Sequence, residues 1–582
     1  MALNMLRSAL LAAFVAIGFV PSVKAELPVL RRPIAIHSVS ADRVVTANRN
    51  GSISVVDIST GKIAFENQLT KQFSTLVPWS ENQCFLATDP ATHELLALSV
   101  SNDAVQVIGR QGVSKYPVSV RVANNGRRVS VASLWSRRLT LLCAEPGASP
   151  TFSIEHVIDL PFAPREQMIL PGDEQVVVFD AYGGRLAVVN LPTGKIVLER
   201  DFPGHGVRGL VVSPDGRMLL AAHQMLNPDA HVNRSDIHWG LLMSNDLRWM
   251  NLNSLLDPAR EIYAGGRVHP LGLPGRGGGD PAGLAMTRDG TVMVCLSGVN
   301  QVMIGTQDDL SLQPVNVGRR PTAVTLSPDG RQAIVANMFD DSLSVVDLVE
   351  KRVTSTIELG VPVEKSQLDL GEELFHDARF SHEGWMSCHS CHTDGHSNFT
   401  RNDNLSDGGF GASKLVISLL GRRETAPFGW QGQLPDLPTQ VRNSIHNTMQ
   451  SDRETIADDE VAALTAYIES LPPPPSLDVA RGVVDLASVE RGRALFAAHE
   501  CGKCHAGPNY TSAENFDVGL KDERGKSLFN PPSLLGVGQR DALLHDGRAK
   551  SLDELFTRHR HPQEQDWSLQ ELRDLVSFLR SL

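Results

Sequence analysis

The sequence predicts a multidomain chain in which an all-β propeller of about seven blades precedes two small all-α domains. Three observations predict it. Short β-type runs alternate with tight-turn signals from residue 26 to about residue 360. Past Gly360 the apolar residues change to helical spacing. Each of the two helical stretches holds one Cys-x-x-Cys-His run, Cys388–His392 and Cys501–His505.

In chain order, residues 1–25 come first. Arg7 is the only charge before an apolar run, residues 9–20, and Val23-Lys24-Ala25 ends on a small residue. This is the pattern of a secretory signal peptide, and it predicts cleavage near Ala25 and export to the periplasm. The run is too short to span a bilayer, and no later segment reaches about 18 uninterrupted apolar residues, so no membrane span is expected in the mature chain. The 42% hydrophobic and 21% charged residues exclude wholesale disorder. A net charge of −12 and an aromatic content of 5% argue against nucleic acid as a partner.

Residues 26–360 repeat. Residues 44–69 and 333–359 both read as strand, turn, strand carrying Ser-Val-Val-Asp, turn, strand. Turn signals recur at Asn124-Asn125-Gly126, Ser213-Pro214-Asp215-Gly216, Asp289-Gly290 and Ser327-Pro328-Asp329-Gly330. Asn-Gly and Asp-Gly supply the positive φ of tight hairpins. Repeats of roughly 40–45 residues, each of four short strands, are propeller blades. Residues 320–348 resemble the YVTN family of bacterial β-propellers. One stretch, residues 223–249, breaks the pattern. It is too long and polar for a strand and reads as a long inter-strand loop on one propeller face. There His223, His231 and His238 are either metal or haem contacts or solvated histidines. Cys84, Cys143 and Cys295 are scattered through this half: a bridge between Cys84 and Cys143 is open, and the odd count leaves at least one buried or interchain thiol.

Residues 361–473 form the first helical domain, 474–486 a Pro-rich linker, and 487–582 the second helical domain. Residues 458–471, 489–499 and 568–582 read as helices. In each Cys-x-x-Cys-His run, Cys388 and Cys391 or Cys501 and Cys504 are placed to hold a haem by two thioethers. The next residue, His392 or His505, then puts an imidazole on the iron. Two such runs predict two covalently bound haem c groups in cytochrome c-like domains. The competing chemistry is a zinc or redox thiol pair. His389 reads as an exposed spacer.

Residues 371–396, 430–451 and 532–555 resemble the di-haem cytochrome c peroxidase / MauG family. The resemblance covers roughly residues 363–582. It implies a first haem that meets hydrogen peroxide, a second that relays electrons, and a conducting tryptophan between them at Trp430. The family's distal histidine has no counterpart in residues 403–409, so the first iron is expected to be open; His396, four residues past His392, is too near to reach the opposite face. The family's distal glutamine and glutamate fall on Gln440 and Gln450. Glutamine cannot shuttle the proton that peroxide cleavage needs. If residues 437–450 are helical, His446 shares a face with Gln450 and reads three ways: proton shuttle, iron ligand or surface histidine. No methionine occurs after Met449. The family's downstream ligand falls on His559, with His561 a close competitor, and Tyr510 is too near His505 to reach across. Bis-histidine ligation by His505 and His559 is therefore expected. The family's calcium positions fall on Leu415 and Asn530, which puts calcium in doubt.

The expected function is a periplasmic di-haem c-type cytochrome using hydrogen peroxide, as a peroxidase or as a MauG-like oxidant of a partner protein. The redox partner is a small cytochrome, a cupredoxin or a protein substrate. The alternative is a non-catalytic di-haem electron carrier with the propeller as docking module. A further alternative puts an active site of the propeller itself in the loop carrying His223 and His238.

Overall fold

The computed structural model describes residues 29–582 except 81–82, 102, 124–125, 310–311 and 563–564. The export segment and the Asn124-Asn125 turn lie outside the described residues. No described helix is long and apolar enough to cross a membrane.

Seven four-stranded antiparallel sheets succeed one another, each a plain meander. Blades 1 to 7 span residues 33–68, 75–112, 117–159, 164–201, 205–270, 281–316 and 321–358. The middle strands, such as Gln175–Asp180, are buried almost throughout, because each blade is sandwiched between two others. The outermost strands alternate, as Lys195–Asp201 does, because one face meets water. The Ser-Pro-Asp-Gly turns close as their residue types dictate. Ser213 Oγ donates to Asp215 (2.6 Å), and the Met218 amide donates back to Ser213 Oγ (2.9 Å). Gly216 supplies φ 70°. Ser327 and Asp329 repeat the device in blade 7.

Among the described residues no strand is shared between blades 7 and 1. Their seam is closed by apolar packing of Ile36, Val44, Ile334 and Leu343 and by the Arg31 and Arg32 amides donating to Asp341 (2.8 and 2.6 Å). A helix from the next domain, Gln367–Phe375, lies across it. Its Asp369 and Glu372 take Arg32 and Arg49 from the blade 1 side, and its Glu373 takes Arg319 from the blade 7 side.

The two helical domains are built alike. Gln367–Phe375 crosses Asp458–Ser470, and Leu486–Ala498 crosses Leu569–Arg580. Both crossings need glycine: a Cβ on Gly371 would sit 2.0 Å from Ala463 O, and one on Gly492 would sit 1.9 Å from Asp574 O. An alanine at either position would force the helices apart.

Two expectations are corrected, and the linker gains a contact. Residues 223–249 are not a single loop: Met218–Leu226 and Met243–Asn251 stay paired through Leu226↔Met243, leaving only residues 227–242 outside the ladder. Their polar residues tolerate burial because the first helical domain covers them. The Pro-rich linker also packs on the propeller. Leu477–Arg481 forms a helical turn held on blade 3, with Arg481 Nε donating to Ser136 O (2.9 Å) and Arg138 Nη1 to Arg481 O (2.9 Å). His389 is buried, not exposed, because one propeller face closes over it.

Candidate haem sites

The first Cys-x-x-Cys-His run sits against that propeller face. Cys388–Cys391 is one helical turn, and blades 4 to 6 grip it. Asp280 accepts from Ser387 Oγ (2.5 Å) and Ser390 Oγ (2.6 Å). Gln224 Nε2 donates to Ser390 Oγ (3.1 Å), and Asn245 Nδ2 donates to Trp385 O (2.9 Å). Arg165 and Arg208 both pair with Asp394. Burial alone would raise the Asp394 carboxyl, but the two guanidiniums and His389 outweigh it and hold it well below the usual carboxylate range.

His205 Nε2 donates to Ser390 O (2.9 Å), and burial lowers the pKa of His205 to about 4. An unfolded histidine takes up a proton near pH 6.5 that the buried one refuses until about 4. The unfolded state therefore binds more protons in that window, and stability falls as pH drops through it, by about 3 kcal/mol at most. Denaturant unfolding of wild type and His205→Gln across pH 4–7 checks this. The variant should lose part of the acid sensitivity; identical slopes would refute the assignment.

Behind the motif lies a largely apolar cavity. Cys388, Cys391 and His392 line one part of it, and Gln440, Ser444 and Met449 line another. Burial pushes both thiols up to about 12, which opposes a thiolate metal centre. Burial also lowers His392 to about 4, so its imidazole is in the neutral, ligating form at neutral pH. Among the described residues lining the cavity, His392 is the only imidazole.

Of the distal candidates, the structure brings only Gln440 to the cavity. Gln440 Nε2 donates to Ser444 Oγ (2.9 Å). Residues 437–450 are not one α-helix: Leu437–Asn443 is α-helical and Ser444–Thr448 is a π-turn. The extra residue in that turn rotates the next residues away from the face an α-helix would give them. His446 is exposed, and Gln450 Nε2 is spent on Asn447 O (2.8 Å); neither lines the cavity. His396 is buried among Trp135, Tyr182 and Phe399, with Nδ1 on Ser418 Oγ (2.7 Å). His223 is buried in its strand against Phe202, and His231 is beside Asp403.

Trp430 also lines the cavity. Its Nε1 donates to Leu415 O (2.8 Å), and its ring centre is 6.5 Å from that of His545. The suggested calcium positions are tied into this hinge: Asn530 N donates to Trp430 O (2.8 Å), and Asn530 Nδ2 to Ser512 O (2.9 Å).

Sequence reasoning missed Arg422 and Arg540. Burial lowers them to about 10 and about 9, and among the described residues neither has a carboxylate partner. Two buried cations without an anion are costly unless a bound group supplies one. Haem propionates fit that need. Nothing in the local sequence marks them: Arg422 is followed by Arg423 and Glu424, and Arg540 is flanked by Gln539 and Asp541.

In the second domain His505 Nδ1 donates to Tyr510 O (3.2 Å), which orients the ring and leaves Nε2 free. The ring that faces it belongs to His561, with centres 6.5 Å apart. Imidazoles on opposite sides of one metal, each bonded at about 2.0–2.1 Å, have ring centres about 6.3 Å apart. His561 is largely buried; its Nδ1 and the Nε2 of His559 both lack a hydrogen-bond partner, so the facing ring separation decides between them. His559 instead sits 3.7 Å from Glu554. The structure thus pairs His505 with His561, the competitor, because the chain after Leu552–Thr557 turns the later histidine inward.

Comparisons with known proteins find relatives of both helical domains. Residues 365–471 match the family model described as di-haem cytochrome c peroxidase, and residues 489–582 match cytochrome c. The chain is 24% identical to cytochrome c551 peroxidase of Nitrosomonas europaea, over 39% of this chain and 82% of that protein. It is 25% identical to methylamine utilization protein MauG of Methylorubrum extorquens, over 38% of this chain and 79% of that protein. It is 26% identical to hydrazine synthase subunit beta of Kuenenia stuttgartiensis, over 32% of this chain and 53% of that protein. Cytochrome c domains imply haem c with its iron, and both Cys-x-x-Cys-His sites have the residues to receive it. Behind a seven-bladed propeller, the C-terminal region of this chain therefore holds one domain that matches the di-haem cytochrome c peroxidase model and one that matches cytochrome c.

Proposed function

We propose that the protein is a periplasmic di-haem enzyme that uses hydrogen peroxide to oxidise a redox partner protein. The observation that carries this reading is the first cavity, where His392 is the only imidazole among the described lining residues. Cys388, Cys391 and His392 would hold the first haem, and Cys501, Cys504, His505 and His561 the second. When bound, the haem iron supplies the electrons that reduce peroxide. The protein's own residues do the rest. Gln440 is held by Ser444 with an amide oxygen and a second amide hydrogen left to orient peroxide. The apolar walls limit water. Trp430 spans the space between the two domains, fixed by its bond to Leu415 O.

Low-temperature EPR of the ferric protein tests the reading. One high-spin and one low-spin haem are expected; two low-spin haems would overturn it. In peroxide stopped-flow, Gln440→Leu should slow the second-order rate about 10–100-fold, the worth of one or two lost hydrogen bonds. His446→Ala should change it by less than about twofold, since a side chain outside the cavity cannot reach the reacting oxygens.

A second reading, a di-haem electron carrier, is favoured by one observation. Asp407 is the only carboxylate among the described lining residues, and it is engaged by Lys414 and Arg524. No free carboxylate there takes the family glutamate's place. On this reading peroxide turnover is absent even with an open iron.

A further inference from the structure

The blade 5 excursion, residues 227–242, does more than cover the first haem domain. We propose that His238, from this excursion, together with His382 and Glu383 of the first haem domain, forms a binding site for one zinc-type divalent cation, separate from both haem sites. Their donor atoms lie within 4.8 Å of one another. His238 Nδ1 is 2.8 Å from Glu383 Oε1, and His382 Nε2 is 3.7 Å from the same oxygen. Tetrahedral ligands at about 2.0–2.1 Å from a zinc ion are about 3.3–3.4 Å apart. The observed separations bracket that value, so small side-chain movements would admit the ion.

The donor set is chemically coherent. Two imidazoles and one carboxylate are ligands zinc takes readily, and the half-exposed edge leaves a fourth position for water. The second contacts are those that orient metal ligands. His382 Nδ1 donates to Asp452 Oδ1 (2.7 Å), which fixes the tautomer whose Nε2 is free to ligate. The other Asp452 oxygen accepts from the Glu383 amide (3.0 Å). The Gly275 amide donates to Glu383 Oε2 (2.9 Å) and aims the carboxylate. Glu383 itself is held at φ 55°, a backbone conformation that a non-glycine residue adopts only when its surroundings impose it.

The ion would staple three segments: the propeller excursion, the turn before Cys388, and residues 451–453 just past the π-turn beside the first cavity. It would thereby hold the end of the distal helix against the propeller.

The test uses the holoprotein, stripped with a chelator and dialysed against zinc, with zinc counted by mass spectrometry separately from haem iron. One zinc per chain is expected, together with a zinc-dependent rise in melting temperature. His382→Ala and Glu383→Gln should each weaken zinc binding at least 100-fold. Asp452→Asn, which touches no metal, should weaken it about 10–100-fold. The Soret spectrum checks that each variant keeps its haems and fold. If a variant unfolds, His238→Ala, altered only in the half-exposed excursion, decides the question. No zinc on the wild type, or equal zinc on the folded variants, would overturn the proposal.

Discussion

Replacing His561 by alanine should convert the second haem from low to high spin, while replacing His559 leaves its spectrum unchanged. The expectation rests on the His505–His561 pair, whose ring centres are 6.5 Å apart, and on Tyr510 O holding His505 Nδ1. His559 lies against Glu554 and has no such partner across the site. His561→Met should keep the haem low-spin and raise its midpoint potential by roughly 0.1–0.2 V, since thioether ligation favours the reduced iron more than imidazole does. EPR and a redox titration read both effects. A high-spin signal from His559→Ala, with none from His561→Ala, would reverse the assignment.

The second large effect concerns the grip of the propeller on the first motif. Asp394→Asn should destabilise the protein by about 2–3 kcal/mol, somewhat below the roughly 3–5 of a fully buried pair broken on one side. The substitution removes the anion between Arg165 and Arg208, both of which are largely covered and stay charged. Asparagine keeps the left-handed backbone of this residue, φ 50°, so the loss reports charge rather than strain. Thermal unfolding monitored at the Soret band should show the haem-domain transition moving down by several degrees. Hydrogen exchange across residues 385–398 should quicken. An unchanged transition would mean that the two arginines are satisfied without the carboxylate.

The sequence made some of this legible and hid the rest for identifiable reasons. The blades were readable because each hairpin needs a positive φ, and Ser213–Gly216 and Ser327–Gly330 advertise it in residue type. The two Cys-x-x-Cys-His runs stand out in the sequence because covalent haem attachment demands a fixed spacing. Blade 5 misled because Gln224, Asn245 and Asp246 look like loop residues. They are strand residues: Gln224 and Asn245 are answered from another domain, by Ser390 and the Trp385 carbonyl, and Asp246 by Ser244 of its own strand. Such long-range satisfaction leaves no local signal. The distal helix misled in a second way: counting by four from Gln450 assumes an α-helix, and the π-turn at Ser444–Thr448 breaks the count. The choice of His561 over His559 depends on how an irregular segment turns, which periodicity cannot report.

The enclosure of Cys388–Cys391 by blades 4 to 6 also constrains the order of biogenesis. Thioether formation requires a maturation enzyme to reach both sulfurs and a haem edge, so it must act on an open chain. In the finished molecule Ser387, His389 and Ser390 are shut against the propeller. All seven blades precede the first motif, and among the described residues each pairs its strands within its own sheet, so the ring's hydrogen-bonded ladders do not depend on the motif. Docking of the helical domain would then cover Ser387–Ser390, and Gln367–Phe375 would bridge the ring's open seam. A motif loaded before docking would be open to such an enzyme from both sides, and one loaded after docking from the cavity side alone.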